Sequence, residues 1–144
     1  MRIIHVDGGA FTGPPSYKFH DAYFSVVDGE TKELLHFEKN CGDMWSGIAE
    51  FLAIKWAVEN ITERPLKILS DCTTAISWAK NGKKKPSKAP NLKGFTCEPI
   101  IKDGTIIEWA HGNLADEWNA ANHSPKKDKR EYIKRYYATK YGTS

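Results

Sequence analysis

Residues 2–11 read RIIHVDGGAF, an apolar, strand-like run that stops at Asp7 and is followed by Gly8 and Gly9. An Asp followed by Gly is a common way for a chain to leave a strand through a turn. That interpretation suffices if Asp7 stands alone. It becomes incomplete if other carboxylates reach the same place, so the positions of the other acidic residues matter most.

Hydrophobic periodicity divides the rest of the chain into alternating elements. Residues 2–6, 21–28 and 33–39 resemble strands, and the GETK segment at 29–32 has the character of a hairpin turn, so a meander comes first. A helix over 44–61 and a strand over 66–70 follow. The next helix starts after an Asp or Ser cap and ends at Gly82, and a short helix is predicted over 92–102. The chain ends with a strand over 105–110, a helix after Asn113 and a basic final helix from about residue 125.

This order predicts a mixed α/β sheet in which the first, fourth and fifth strands are parallel. Ligands of such sheets bind beyond the carboxyl ends of the parallel strands. Asp7 ends the first predicted strand and Asp71 follows the fourth. If these strands are neighbours, their two carboxylates emerge side by side.

Two further acids point toward the same region. Glu50 lies on the apolar stripe of its helix, at spacings of 4, 7, 8 and 11 from Ile54, Ala57, Val58 and Ile61, and therefore faces the sheet. Asp116 lies in the first turn of the helix after the fifth strand. Each position also has a plainer interpretation. The Glu50 side chain could tilt into water or pair with a neighbouring basic residue, and Asp116 could complement the helix dipole.

Four acids in one place repel each other unless a cation is bound, and oxygen-only ligands select hard ions such as Mg²⁺ or Mn²⁺. The segments VDGG (6–9), IAEFLAIKWAV (48–58), ILSDCTTAI (68–76) and NLADEWNAA (113–121) resemble the four acidic motifs of type 1 ribonuclease H. The resemblance extends from Arg2 to the helix after Asp116.

The resemblance implies a ribonuclease H-like fold, a five-stranded mixed sheet in the order 3-2-1-4-5 with helices on both faces. It also implies an endoribonuclease that cuts the RNA strand of RNA–DNA hybrids. The implied site is Asp7, Glu50, Asp71 and Asp116 holding two Mg²⁺ or Mn²⁺ ions, with no small-molecule cofactor.

Other positions follow from the same resemblance. Gly8 and Gly9 would let the backbone approach a nucleic-acid strand, and His111 would assist proton transfer or product release unless it is a surface or capping residue, in which case His123 is the other candidate. Ser46 and Gly47 stand where the family commonly has polar amides, and Ser46 would contact the sugar. The basic loop with Lys83, Lys84, Lys85 and Lys88 occupies the place of the family's substrate-gripping protrusion.

Charge is distributed unevenly along the chain. Residues 1–79 hold 7 Lys/Arg and 11 Asp/Glu, whereas residues 80–144 hold 14 and 7, which suits a polyanionic partner such as an RNA–DNA hybrid. A solvated surface is the alternative. Three cysteines without CxxC spacing argue against a disulfide framework or zinc ribbon, and the five tryptophans are interpreted as packing residues.

The 144 residues are expected to form a single domain over 1–144, with a basic C-terminal helix. No apolar run has the length of a membrane span and no secretory signal is recognisable, so a cytoplasmic protein without membrane contact is expected. The protein is also expected to be a monomer. Two other functions stay open, since a fold does not determine a substrate. One is a structure-selective DNA nuclease, and the other is a non-catalytic nucleic-acid-binding module.

Overall fold

The computed structural model describes residues 1–14, 18–39, 41–87, 92, 94–122 and 125–142. Its strands are β1 (Arg2–Gly13), β2 (Lys18–Asp28), β3 (Leu34–Glu38), β4 (Leu66–Ser70) and β5 (Thr105–Trp109). Its helices are α1 (Ser46–Asn60), α2 (Thr73–Asn81), α3 (Leu114–Asn122) and α4 (Pro125–Tyr141). None of these helices is long and apolar enough to cross a membrane.

The strands form one sheet in the order β3-β2-β1-β4-β5, which confirms the predicted architecture. β1 is antiparallel to β2 and β2 to β3, as expected for a meander. β4 is parallel to both β1 and β5, because α1 and the segment containing α2 carry the chain back across the sheet. The carboxyl ends of β1's parallel portion and of β4 therefore meet at the same end of the sheet.

β1 does not end at Asp7, contrary to the sequence-based prediction. Its parallel pairing with β4 stops at the His5–Leu69 pair, but its antiparallel pairing with β2 continues to Gly13. A β-bulge between Gly9 and Phe11 shifts the register within this extension. Asp7 thus lies at the fork where β1 leaves β4 and stays with β2.

The main hydrophobic core lies between the sheet and the helices α1 and α2. Sheet residues such as Ile4 and Ile68 are fully buried against Ile54 and Val58 of α1, and Trp78 of α2 closes the same cluster. Each such side chain contributes roughly 1.5–3 kcal/mol by leaving water.

The opposite face of the sheet carries α3 and α4. Ser25, the strand partner of Asp7, donates a hydrogen bond of 3.2 Å from Oγ to the carbonyl of Ala115 in α3. Tyr132 of α4 packs edge-on against Phe11 of β1, with 5.2 Å between ring centroids. Helices therefore cover both faces, as predicted.

The predicted helix over 92–102 is wrong: none of the described residues in that range is helical. Its backbone bonds elsewhere, because Lys83 and Cys97 exchange two backbone hydrogen bonds of 2.8 and 3.0 Å, and the N–H of Ile100 donates to the carbonyl of Ala79. Pro99 lacks the N–H that a helix would use. Pairing with the end of α2 thus replaces local helical bonding.

The cap of α2 also differs from the expected Asp or Ser. Cys72 is the N-cap, and its Sγ accepts from the N–H of Ala75 at 3.4 Å. Ser70 stabilises the turn before this helix, because its Oγ accepts a hydrogen bond from the N–H of Cys72 at 3.2 Å. The Asp71 side chain is consequently not used for capping.

Candidate active site

Three carboxylates converge at the fork between β1 and β4. Asp7 comes from β1, Glu50 from the first turns of α1, and Asp71 from the residue directly after β4. One oxygen from each lies within 4.8 Å of the others. Asp7 and Glu50 are only 6% and 5% exposed, whereas Asp71 is half-buried. Helical spacing correctly predicted that Glu50 faces the sheet.

Two glycines beside this cluster allow close packing. A Cβ on Gly8 would lie 2.6 Å from the backbone carbon of Ala49 and 2.7 Å from the nitrogen of Glu50, so only glycine lets α1 rest directly on β1. A Cβ on Gly9 would lie 2.3 Å from the hydroxyl of Tyr23. Both glycines thus have an internal packing role, and their contact with nucleic acid stays a prediction.

Burial dominates the electrostatics of the Asp7–Glu50 pair. It raises the pKa of Glu50 far above the usual carboxyl range, and the neighbouring charge of Asp7 raises it further. Burial also raises the pKa of Asp7, with a smaller upward contribution from Asp71, while hydrogen bonds from Glu50 and Asn119 oppose the rise. The two carboxylates therefore favour a shared proton or a bound cation over two bare charges.

Asp116, the fourth predicted acid, is not part of the group of three. It is exposed in the first turn of α3, at the rim of the site. Its charge nevertheless contributes to the raised pKa values of Asp7 and Tyr23. The structure thus places Asp116 beside the buried acids with its side chain open to solvent.

Two asparagines that are not among the predicted site residues organise this region. Asn113 is 4% exposed: its side-chain nitrogen donates to the carbonyls of Val6 and Leu69, and its Oδ1 accepts from the N–H of Asp116 at 3.0 Å. Asn119 is 2% exposed and donates to Oδ2 of Asp7 at 2.9 Å.

Sequence signals for both existed. Asn before an amphipathic run is a preferred N-cap, which would have identified Asn113. Asn119 lies three residues after Asp116 and so shares its side of a helix. Neither signal reveals that the amide reaches a strand more than a hundred residues away.

The histidines have separate places. His5 accepts a 3.0 Å hydrogen bond at Nδ1 from the N–H of Leu114, and burial lowers its pKa, so it acts as a neutral anchor for α3. His111 is exposed, and its ring stacks on Trp109 at a centroid distance of 6.2 Å. The indole of Trp109 in turn donates to the backbone carbonyl of Asp71 at 3.1 Å. This contact chain connects the His111 loop to the acidic cluster, and its catalytic role stays a prediction.

The residues predicted to bind nucleic acid are spread around the site. Ser46 is the first residue of α1, and a Cβ on the adjacent Gly47 would lie 2.3 Å from the ring of Trp45. Lys84 and Lys85 are exposed, whereas Lys83 is half-buried and donates from Nζ to the carbonyl of Lys85. Lys88 and His123 lie outside the described residues.

The donor set fits a hard divalent cation. All three clustered groups offer carboxylate oxygens, the ligands that Mg²⁺ and Mn²⁺ prefer. Within the described parts of the chain, none of the three forms an ion pair with Lys or Arg. An unpaired buried carboxylate costs several kcal/mol, and a bound cation would offset that cost.

The fold is similar to several solved structures, although no family model and no curated protein matches the sequence. One is LC11-RNase H1 in complex with an RNA/DNA hybrid, with a TM-score of 0.50 and 17% identity over 81% of this chain and 92% of that one. Another is the RNase H domain of PFV, prototype foamy virus, with a TM-score of 0.51 and 19% identity over 93% and 90%.

A third is the N-terminal RNase H domain of Rv2228c from Mycobacterium tuberculosis, with a TM-score of 0.52 and 11% identity over 92% of this chain and 99% of that one. At these identities the likeness concerns the fold. The strand order and the helices on both faces agree with it. The chain therefore has a ribonuclease H-like fold.

Proposed function

We propose that the protein is a divalent-metal-dependent endonuclease that hydrolyses the RNA strand of RNA–DNA hybrids. The convergence of Asp7, Glu50 and Asp71 within 4.8 Å carries this proposal. Similarity to ribonuclease H folds supports it, because the three acids occupy the edge of the sheet where ligands of such folds bind.

Asp7, Glu50 and Asp71 would hold Mg²⁺ or Mn²⁺, with the exposed Asp116 completing a set of ligands for two ions. The bound cations would supply Lewis-acid stabilisation of the phosphodiester oxygens and favour deprotonation of the attacking water. The chain's own groups fix the orientation of these ligands.

Each buried ligand is held by a neighbour. Asn119 donates to Oδ2 of Asp7 and so fixes the orientation of that carboxylate. The hydroxyl of Ser70 donates to Oε2 of Glu50 at 3.4 Å. Such fixed outer contacts orient ligands and commonly change metal affinity or activity by about 10- to 100-fold when removed. His111, exposed at the rim, would pass a proton to or from the substrate.

A second candidate, a structure-selective DNA nuclease, is favoured by one observation. Gly47 has no side chain that could contact a 2′-hydroxyl, and the ring of Trp45 occupies the space that a larger residue would need there. Ser46 remains as a side-chain contact, and the hybrid substrate remains the stronger proposal.

The test compares matched RNA–DNA, RNA–RNA, DNA–DNA and branched DNA substrates, each strand labelled, with Mg²⁺ or Mn²⁺. We expect cleavage of the RNA strand of the hybrid alone. Preferred cleavage of branched DNA would support the second candidate. Binding without cleavage of any substrate would indicate the non-catalytic module.

Asp71→Asn is the decisive variant. It removes a ligand charge while keeping nearly the same shape, so we expect hybrid cleavage to fall by at least about 100-fold with an unchanged circular dichroism spectrum. Asp103→Asn is the matched control, since Asp103 is an exposed acid before β5, at the opposite end of the sheet. Retention of most Mg²⁺-dependent activity by Asp71→Asn would refute the site.

A further inference from the structure

Helix α4 is anchored to the sheet by one side. Tyr132 donates from its hydroxyl to the carbonyl of Pro14 at 2.7 Å, and its ring stacks on His20 with 4.6 Å between centroids. Asp128, one turn earlier, forms an ion pair of 3.3 Å with Lys39. These contacts determine which side of α4 faces outward.

The outward side carries a regular stripe of cations and aromatic rings. Arg130, Lys134, Tyr137 and Tyr141 follow at spacings of 4, 3 and 4, which places them within an arc of about 60° on the helix. All four are exposed, and the two tyrosines are 38% and 65% exposed. We call these four residues the α4 stripe.

The two ends of the α4 stripe differ chemically. Arg130 and Lys134 provide charge, whereas the rings of Tyr137 and Tyr141 stack at 5.8 Å and 6°. The ammonium of Lys140 lies 5.6 Å from the centroid of Tyr141, so a cation also borders the aromatic end.

Charge complementarity identifies the kind of partner. The sequence of α4 holds seven Lys/Arg and two Asp/Glu, and one of those acids, Asp128, faces the sheet and pairs with Lys39. The α4 stripe therefore suits a polyanion. Exposed parallel rings suit a polyanion that also has planar faces, which unpaired bases have and lipid headgroups lack.

We propose that the α4 stripe binds single-stranded nucleic acid that flanks the hybrid, with phosphates at Arg130 and Lys134 and bases stacked on Tyr137 and Tyr141. Phe11, which Tyr132 contacts, is four residues along β1 from Asp7, a distance of about 13 Å. That distance leads to the anchored side of α4, and the α4 stripe lies across the helix, whose diameter with side chains is about 10–12 Å. A strand leaving the acidic cluster can therefore reach the stripe after several nucleotides. The role beside a hybrid rests on the proposed function, whereas the binding itself does not require cleavage.

The test measures affinity in EDTA, so that no substrate is cleaved. The probes are a labelled blunt hybrid, the same hybrid with a single-stranded extension, and an oligothymidylate of about 12 nucleotides. We expect the full chain to bind the extended hybrid about tenfold more tightly than the blunt one, which is within the range of stacking one or two bases.

Two double variants separate the two ends. Arg130→Gln with Lys134→Gln should abolish most of the extension's advantage and flatten the slope of log affinity against log salt by about 1.4. Tyr137→Ala with Tyr141→Ala should reduce the advantage without changing that slope. Tyr137→Phe with Tyr141→Phe should restore it, because the rings remain.

Lys32→Gln with Lys102→Gln is the matched control, since both lysines are exposed at the opposite end of the sheet and the charge change is equal. Equal affinity of the parent for blunt and extended hybrids would overturn the proposal. So would stripe variants that behave like this control, or a stripe needed only for binding phosphatidylserine vesicles. Stripe-dependent binding without cleavage in Mg²⁺ would overturn the proposed function and leave this inference standing.

Discussion

Glu50 has the most unusual environment of any residue in the site. It is 5% exposed on an apolar helix face, and its partners include a second buried carboxylate. Its inward direction was predictable, because its spacing to Ile54 and Val58 places it on the apolar stripe of α1. The contacts of Asn119 were not predictable, because a helical amide has many possible partners and only the fold brings Asp7 to it.

The raised pKa of Glu50 makes metal-free stability depend on pH. The folded state holds the proton more tightly than the unfolded chain, so its stabilisation is complete below the ordinary carboxyl pKa near about 4.3 and declines as pH rises above it. Burial lowers the pKa of His5, so this residue makes the folded state less stable as pH falls below about 6.5, opposite to the effect of Glu50. A comparison between variants cancels the effect of His5.

We therefore expect Glu50→Gln, which mimics the protonated acid, to be more stable than the parent by at least about 1 kcal/mol near pH 8 in EDTA. The advantage should shrink toward about pH 5. Mg²⁺ should raise the melting temperature of the parent more than that of the variant. Thermal unfolding across pH measures this, with the exposed Glu59→Gln on the same helix as control. Parallel pH profiles for parent and variant would contradict a protonated, buried Glu50.

Helix α3 is held in place by contacts distant in sequence. Asn113 joins its first turn to both β1 and β4, and His5 holds the N–H of Leu114. The existence of the helix and strands was predictable from periodicity, and the sheet order from the resemblance. The continuation of β1 past Asp7 and the non-helical segment around Cys97 were not, because pairing with β2 and with Lys83 overrides local preference.

We expect Asn113→Ala to destabilise the protein by about 1–3 kcal/mol, since it leaves two strand carbonyls without a buried donor and removes the cap of α3. Activity should fall further than stability explains, because Asp116 loses its fixed position. Chemical unfolding and cleavage kinetics measure the two effects. Asn122→Ala removes an exposed amide at the end of α3 that donates to the nearby carbonyl of Trp118, and it is the control. Equal losses in both variants would deny Asn113 its positioning role.

Across the whole molecule, acidic and basic functions occupy different parts of the chain. The three clustered acids come from residues 1–79, which hold the excess of negative charge. The two basic surfaces proposed to bind nucleic acid, the loop with Lys84 and Lys85 and the α4 stripe, come from residues 80–144. This division was visible in the sequence. Which lysines are accessible was not, because the Lys83 backbone pairs with Cys97 and its side chain bonds within the loop.

Lys84→Gln with Lys85→Gln should therefore weaken hybrid binding about equally for all sequences. Two lost phosphate contacts would flatten the salt dependence by up to about 1.8. The rate at saturating hybrid should stay unchanged, since these side chains would hold the backbone away from the scissile bond. Binding isotherms at several salt concentrations measure this. Affinity and slope equal to those of Lys32→Gln with Lys102→Gln would identify the loop as merely solvated.

The extension of β1 beyond Asp7 has a consequence for the thermodynamics of ligand capture. Because Asp7 pairs with Ser25 in the middle of a strand, its backbone has no freedom left to lose when a ligand arrives. Its side chain is likewise already immobilised by Asn119. The entropy of ordering this carboxylate is therefore lost once, during folding, and affinity is not reduced by it again. The Asp7 carboxylate is thus preorganised: it already has its binding position before a ligand enters the site.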